Sequence, residues 1–206
     1  MASTKKMSKL VIMLIPIGVA INFIGGQIAI LLKLPVYLDC IGTMAVAALA
    51  GPIPGVIVGV ISNILNSITA PIYLFYAICS ILIALAAAYF SKNGTFLSFG
   101  KSITLGTLVF SLIGGVLGAC ITWIIFGGEF GTNTAAMFAV PLYNATGMSK
   151  FICEVIAEWI MDLVDKAVTV AIVYGVLKSM PVRTLSKLPL GDVYIQSKKD
   201  AKASAE

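Results

Sequence analysis

The stretch Leu32–Leu65, LKLPVYLDCIGTMAVAALAGPIPGVIVGVISNIL, constrains the fold more than any other. It is apolar enough for a membrane, yet Pro35, Asp39, Gly51, Pro52, Pro54, Gly55 and Asn63 interrupt it. Asp39 is placed to cap a short helix ending near Ala50. Gly51-Pro52 stops that helix, and Pro54 suits the first turn of the next. The result is two short apolar helices joined by a tight turn.

The rest of the chain supports a polytopic membrane protein. Hydrophobic residues make up 59% and charged residues 11% of 206, with a mean hydropathy of +1.03. Soluble domains average about 45–50% apolar and about 25% charged. Six segments follow, near 10–32, 39–50, 54–67, 72–90, 102–126 and 150–178. Residues 1–9 form a basic start, residues 10–178 the membrane domain, and residues 179–206 a basic, partly disordered tail. Eleven of the 14 Lys and Arg residues fall on the side holding both termini, Lys33 and Lys150 fall on the other, and Lys166 lies within a segment. By the positive-inside rule this predicts six transmembrane helices, all-α, with both termini cytoplasmic. The net charge of +5 is topology information and does not imply nucleic acid.

Segment six carries the strongest chemical signal. Glu154, Glu158 and Asp162 recur at four-residue spacing, and Asp165 and Lys166 follow. At about 100° per residue they share an arc of about 120°. Charges at membrane depth are costly and face a bundle interior or a wet cavity. Glu154 and Glu158, nearest the outside, are candidates for binding a substrate. Asp162–Lys166 also makes an i,i+4 pair, and Asp165 and Lys166 read as structural or partner-facing. Asn63 and Asn66 share a face of segment three and suit a ligand or a neighbouring helix equally. Trp123 is an interfacial anchor or a stacking platform. In the connection 127–149, Thr132, Asn133 and Thr134, then Tyr143, Asn144 and Thr146, offer the donors and acceptors of a lid. Lys150 is the outer cation available to an anionic group. Asp39 completes the substrate-binding set.

Other chemistry is not expected. Cys40, Cys79, Cys120 and Cys153 are far apart, and the absence of His leaves no metal-ligand pattern. Residues 94–102, GTFLSFGKS, imitate a phosphate-binding loop but hold five residues between the glycines instead of four. No catalytic residue, cofactor or metal is assigned, and the chain is not expected to be an enzyme.

The order Leu32-Lys33-Leu34, Asp39 opening a short helix, Gly51-Pro52, spaced small residues, then Asn63 resembles the second and third helices of substrate-binding (S) subunits of energy-coupling factor (ECF) vitamin transporters, the riboflavin-type group especially. The resemblance implies a six-helix S component in a prokaryotic plasma membrane, capturing a vitamin or related micronutrient from outside. Its site would lie under the connections between segments one and two, three and four, and five and six. It would deliver the substrate through a transmembrane T subunit driven by two ATPase subunits. Members dock their first helix on the T subunit through small residues, and Gly18, Gly25 and Ala29 are the nearest equivalents here. Two alternatives stand beside this: a self-sufficient proton-coupled secondary transporter using the acidic face, and a membrane sensor domain.

Overall fold

The computed structural model describes residues 7–203, and side chains as far as residue 199. Every regular element among the described residues is helical. Helix α1 is Lys9–Leu31, α2 Ile41–Ala50, α3 Pro52–Asn66, α4 Tyr73–Lys92, α5 Phe99–Ile125, α6 Ala136–Thr146, α7 Lys150–Ser179, α8 Val182–Leu185 and α9 Gly191–Ala203. A single 3-10 turn, Thr95–Leu97, precedes α5, so the 94–102 stretch is a helix–helix connection.

Three helices, α1, α4 and α5, are long and apolar enough to cross a membrane. Large apolar side chains cover their outer faces, among them Ile12, Met13, Ile24, Phe75 and Leu105. That is the mark of a membrane protein, because water would not tolerate such a belt. Helices α2 and α3 are apolar but have only 10 and 15 residues. Helix α7 has 30 residues, about 45 Å of length, and carries the buried charges.

Helix α2 is the axis of the bundle. Every residue from Gly42 to Ala50 is buried, and these residues are mostly small. Small side chains let neighbouring backbones approach, as they do between membrane helices. A Cβ on Gly42 would fall on the backbone of Gly18 in α1. Polar side chains then fasten the close crossing. Fully buried Asn22 donates to Thr43 Oγ1 at 2.8 Å and to Ser62 Oγ at 3.0 Å, and accepts the Gly42 N–H at 2.7 Å. One amide thereby joins α1, α2 and α3, using both its N–H donors and one lone pair of its oxygen.

Two details of the short hairpin differ from expectation. Gly51, at φ +99, ends α2, and Pro52 stands at the start of α3, two residues before the expected Pro54. Asp39 does not cap α2: the residue flanking that helix is Cys40, with no side-chain capping bond. Asp39 Oδ1 instead accepts from Cys40 Sγ at 3.2 Å.

The small residues of α1 face inward. Gly18 meets Val46 and Val58, Ala29 is buried, and a Cβ on Gly25 would fall on the carbonyl of Leu38. The chain uses them for its own packing.

Helix α5 contains two wider π-type stretches, Ser102–Gly106 and Leu112–Leu117. The second puts Gly114 and Gly115 against Asp162 and Trp159 of α7. Such bulges gather at functional sites.

The first part of the tail docks on the bundle. Leu185, Leu188 and Tyr194 are buried, and the Leu190 N–H donates to the Leu49 carbonyl at 3.1 Å. Ser91 Oγ donates to the Ala48 carbonyl at 2.6 Å and lies 2.7 Å from Tyr194 Oη. The single Ser91 proton is spent on Ala48, so Tyr194 is the donor of the second bond. Lys5, Lys6 and residues 204–206 lie outside the described residues.

Candidate functional site

The acidic face of α7 does what its spacing predicts: Glu154, Glu158, Asp162, Asp165 and Lys166 are all buried. They turn toward α5 and the connection after α1. Lys166 Nζ donates to Asp162 Oδ1 at 2.8 Å and to Asp165 Oδ2 at 2.5 Å. Asp165 Oδ1 accepts the backbone N–H groups of Tyr37 and Leu38, each at 2.8 Å. The i,i+4 pair is therefore one limb of a network that anchors the α1–α2 connection.

That anchorage carries backbone strain. Lys33 and Leu38 both have positive φ, +52 and +54, a region non-glycine residues rarely occupy. Two N–H bonds to a buried carboxylate offset the strain at Leu38, and Gly25 makes room for its carbonyl.

The anchored connection closes over a cavity of about 300 Å³ between α1, α3, α4, α5 and α7. Three connections contribute to its wall: Val36, Tyr37 and Asp39 from the first, Ala70 and Ile72 from the third, and Thr132, Asn133 and Thr134 from the one after α5. Tyr37 Oη donates to Glu158 Oε2 at 2.7 Å, and Asn133 Nδ2 donates to Glu158 Oε1. Glu158 thus ties two of these connections together across the cavity. Asn63 Nδ2 donates to the Gly59 carbonyl at 2.8 Å and to Ser80 Oγ at 2.7 Å. Tyr73 and Tyr76, edge-on at 6.3 Å, form an aromatic wall.

Of the ten residues predicted to bind a substrate, Asp39, Asn63, Asn66, Asn133 and Glu158 line this cavity. The other five do not. Glu154 lies one turn along α7 from Glu158, fully buried beside Gly131, with both oxygens unpartnered. Trp123 packs edge-on against Phe151 at 5.3 Å, and Tyr143 against Phe130 at 5.8 Å. Asn144 is exposed, and Lys150 pairs with Glu129 at 2.6 Å at the surface. These four lie on α5, α6 or the start of α7, on faces turned from the cavity.

Sequence reasoning missed Tyr37, Tyr73, Tyr76, Cys79 and Ser80. Tyr73 and Tyr76 share one face of α4 at three-residue spacing, a signal that could have been read. Nothing in the local sequence marks Tyr37. Lys166, read as structural, both ties the network and lines the cavity. Among the described residues no group of His, Cys, Asp and Glu has the arrangement of a metal site, and all four cysteines are free.

Fold and site together define an all-helical protein with helices of membrane-spanning length around a cavity of mixed polar and apolar lining. No family model, curated protein or solved structure matches the chain.

Proposed function

We propose that this chain is the substrate-capturing S subunit of an ECF-type importer in a prokaryotic plasma membrane, taking a vitamin-like small molecule from outside. In this reading the six predicted segments cross the membrane with both termini in the cytoplasm, and the three wall-forming connections face outward. The observation that carries it is the cavity itself: about 300 Å³, lined by charged groups of α7 and covered by those three connections. Ligand pockets occupy about 300–1,000 Å³ and bring a few convergent polar groups to apolar walls. Energy would come from a T subunit and two partner ATPases, since no phosphate-binding loop stands out in the sequence. Mass spectrometry of the chain purified in mild detergent tests the reading: a stoichiometric small molecule is expected, and it should be depleted from Glu158→Gln. A preparation that retains no small molecule after growth in rich medium counts against it.

Glu154 favours one other reading. A buried carboxyl without a partner suits a proton carrier in a secondary transporter. Uptake that stops when the proton gradient collapses, without need of ATPase partners, would select that reading.

A further inference from the structure

We propose that the cavity takes an organic cation, with a protonated amine held between Asp39 and Asp162 and a flat or apolar body against Tyr73 and Tyr76. The inference rests on the ligand-cavity reading above and adds the chemical class of the ligand.

Charge is the first argument. Asp39, Glu158 and Asp162 line the cavity, and Asp165 lies directly behind. Against these four carboxylates stands one ammonium, Lys166, held between Asp162 and Asp165. Carboxyl groups thus outnumber ammonium groups in a region where unbalanced charge is costly.

The hydrogen-bond valences give a second, independent argument. Several nitrogen donors of the wall are already engaged within it. Lys166 donates to two aspartates, Asn63 gives both amide protons to Gly59 and Ser80, and Asn133 donates to Glu158. Two buried acceptors are left unfilled. Asp162 Oδ2 and Asn66 Oδ1 have no partner, although these residues are only 2% and 5% exposed and line the cavity. Asp39 meets only the thiol of Cys40. Buried acceptors left unpaired are costly, so a ligand that fits must bring donors. A carboxylate or phosphate would instead meet a lining richer in carboxyl groups than in cations.

A bare metal ion does not fit, since no set of these groups converges with ligand spacing among the described residues. A positive charge on an extended organic body does. Tyr73 and Tyr76 then supply faces and edges for that body, where an adjacent cation is further stabilised.

Three probes of one size separate the possibilities: tryptamine, tryptophol and indole-3-acetate, which differ in charge at one end. Calorimetry is run on the purified, ligand-stripped full-length chain in detergent. Tryptamine is expected to bind at least tenfold more tightly than tryptophol, and indole-3-acetate not measurably. Asp39→Asn should lower tryptamine affinity about tenfold without changing the melting temperature of the empty protein. Asn66→Asp, which adds a carboxylate to the wall, should raise it. Equal or tighter binding of the alcohol or the acid overturns the cation inference, as does a folded chain that binds none of the three. The ligand-cavity reading is decided separately, by whether any small molecule co-purifies.

Discussion

The backbone N–H of Leu38 donates to Asp165 Oδ1 at 2.8 Å, across 127 residues of sequence. This bond and its twin from Tyr37 hold a strained loop on the middle of α7. They also set the position of Tyr37, whose hydroxyl reaches Glu158, and of Asp39 at the cavity wall. Asp165 touches none of the cavity, yet it places two of the residues that do.

Asp165→Ala should therefore be among the most destabilising single changes. It leaves two N–H groups without their acceptor and takes one of the two carboxylate partners of the Lys166 ammonium. Removing one partner of a buried ion pair costs about 3–5 kcal/mol. Thermal unfolding in detergent should show it, and the double variant Asp165→Ala/Lys166→Met should lose less than the two single losses combined. Strict additivity would mean that the two side chains are not coupled.

Gly25→Ala should destabilise by about 1–3 kcal/mol, because its Cβ would meet the Leu38 carbonyl. The sign is opposite to that expected at an open helical position, where Gly→Ala gains about 0.5–1 kcal/mol. Gly175 in α7 has nothing within 4 Å of an added Cβ and is the matched control. The same direction of change at both sites would show that Leu38 yields freely.

Glu158→Gln should weaken binding of the co-purifying molecule by about 10- to 150-fold, the equivalent of roughly 1.5–3 kcal/mol. Trp123→Leu should leave it within about twofold, because Trp123 packs on Phe151 outside the cavity. Competition binding on the purified variants checks both. The reverse ranking would return the site to the face of Trp123.

Tyr194 makes the tail's docking sensitive to alkali. Burial raises its pKa from 10.0 to about 12, with the bond to Ser91 opposing the shift. An unfolded tail ionises near pH 10, while the docked one keeps its proton to about 12. The neutral hydroxyl's contribution is thus complete below pH 10 and is lost as pH rises from there through about 12. Tyr194→Phe should cost about 0.5–1.5 kcal/mol at neutral pH and flatten that alkaline decline. Proteolysis of the tail as a function of pH reads both effects.

The proposed orientation is open to labelling in intact cells lacking native cysteines. Met137→Cys on exposed α6 should react with an impermeant maleimide, and Arg183→Cys in the tail should not. Labelling of Arg183→Cys alone would invert the topology.

Hydropathy and helical period determined the long apolar helices, the short hairpin broken at Gly51-Pro52, and the buried acidic face of α7. These features are local: a span depends on its own composition, and a face on spacing along one helix. The same period could not say which of two inward faces meets a cavity and which meets another helix. Only packing placed Gly18, Gly25 and Ala29 against α2, α3 and Leu38, and set Trp123, Tyr143, Asn144 and Lys150 outside the cavity lining. The pairing of Tyr37 with Glu158 joins residues 121 apart, and no pattern within either stretch encodes the other. The cavity exists because five helices and three connections meet there, and its chemistry belongs to that meeting.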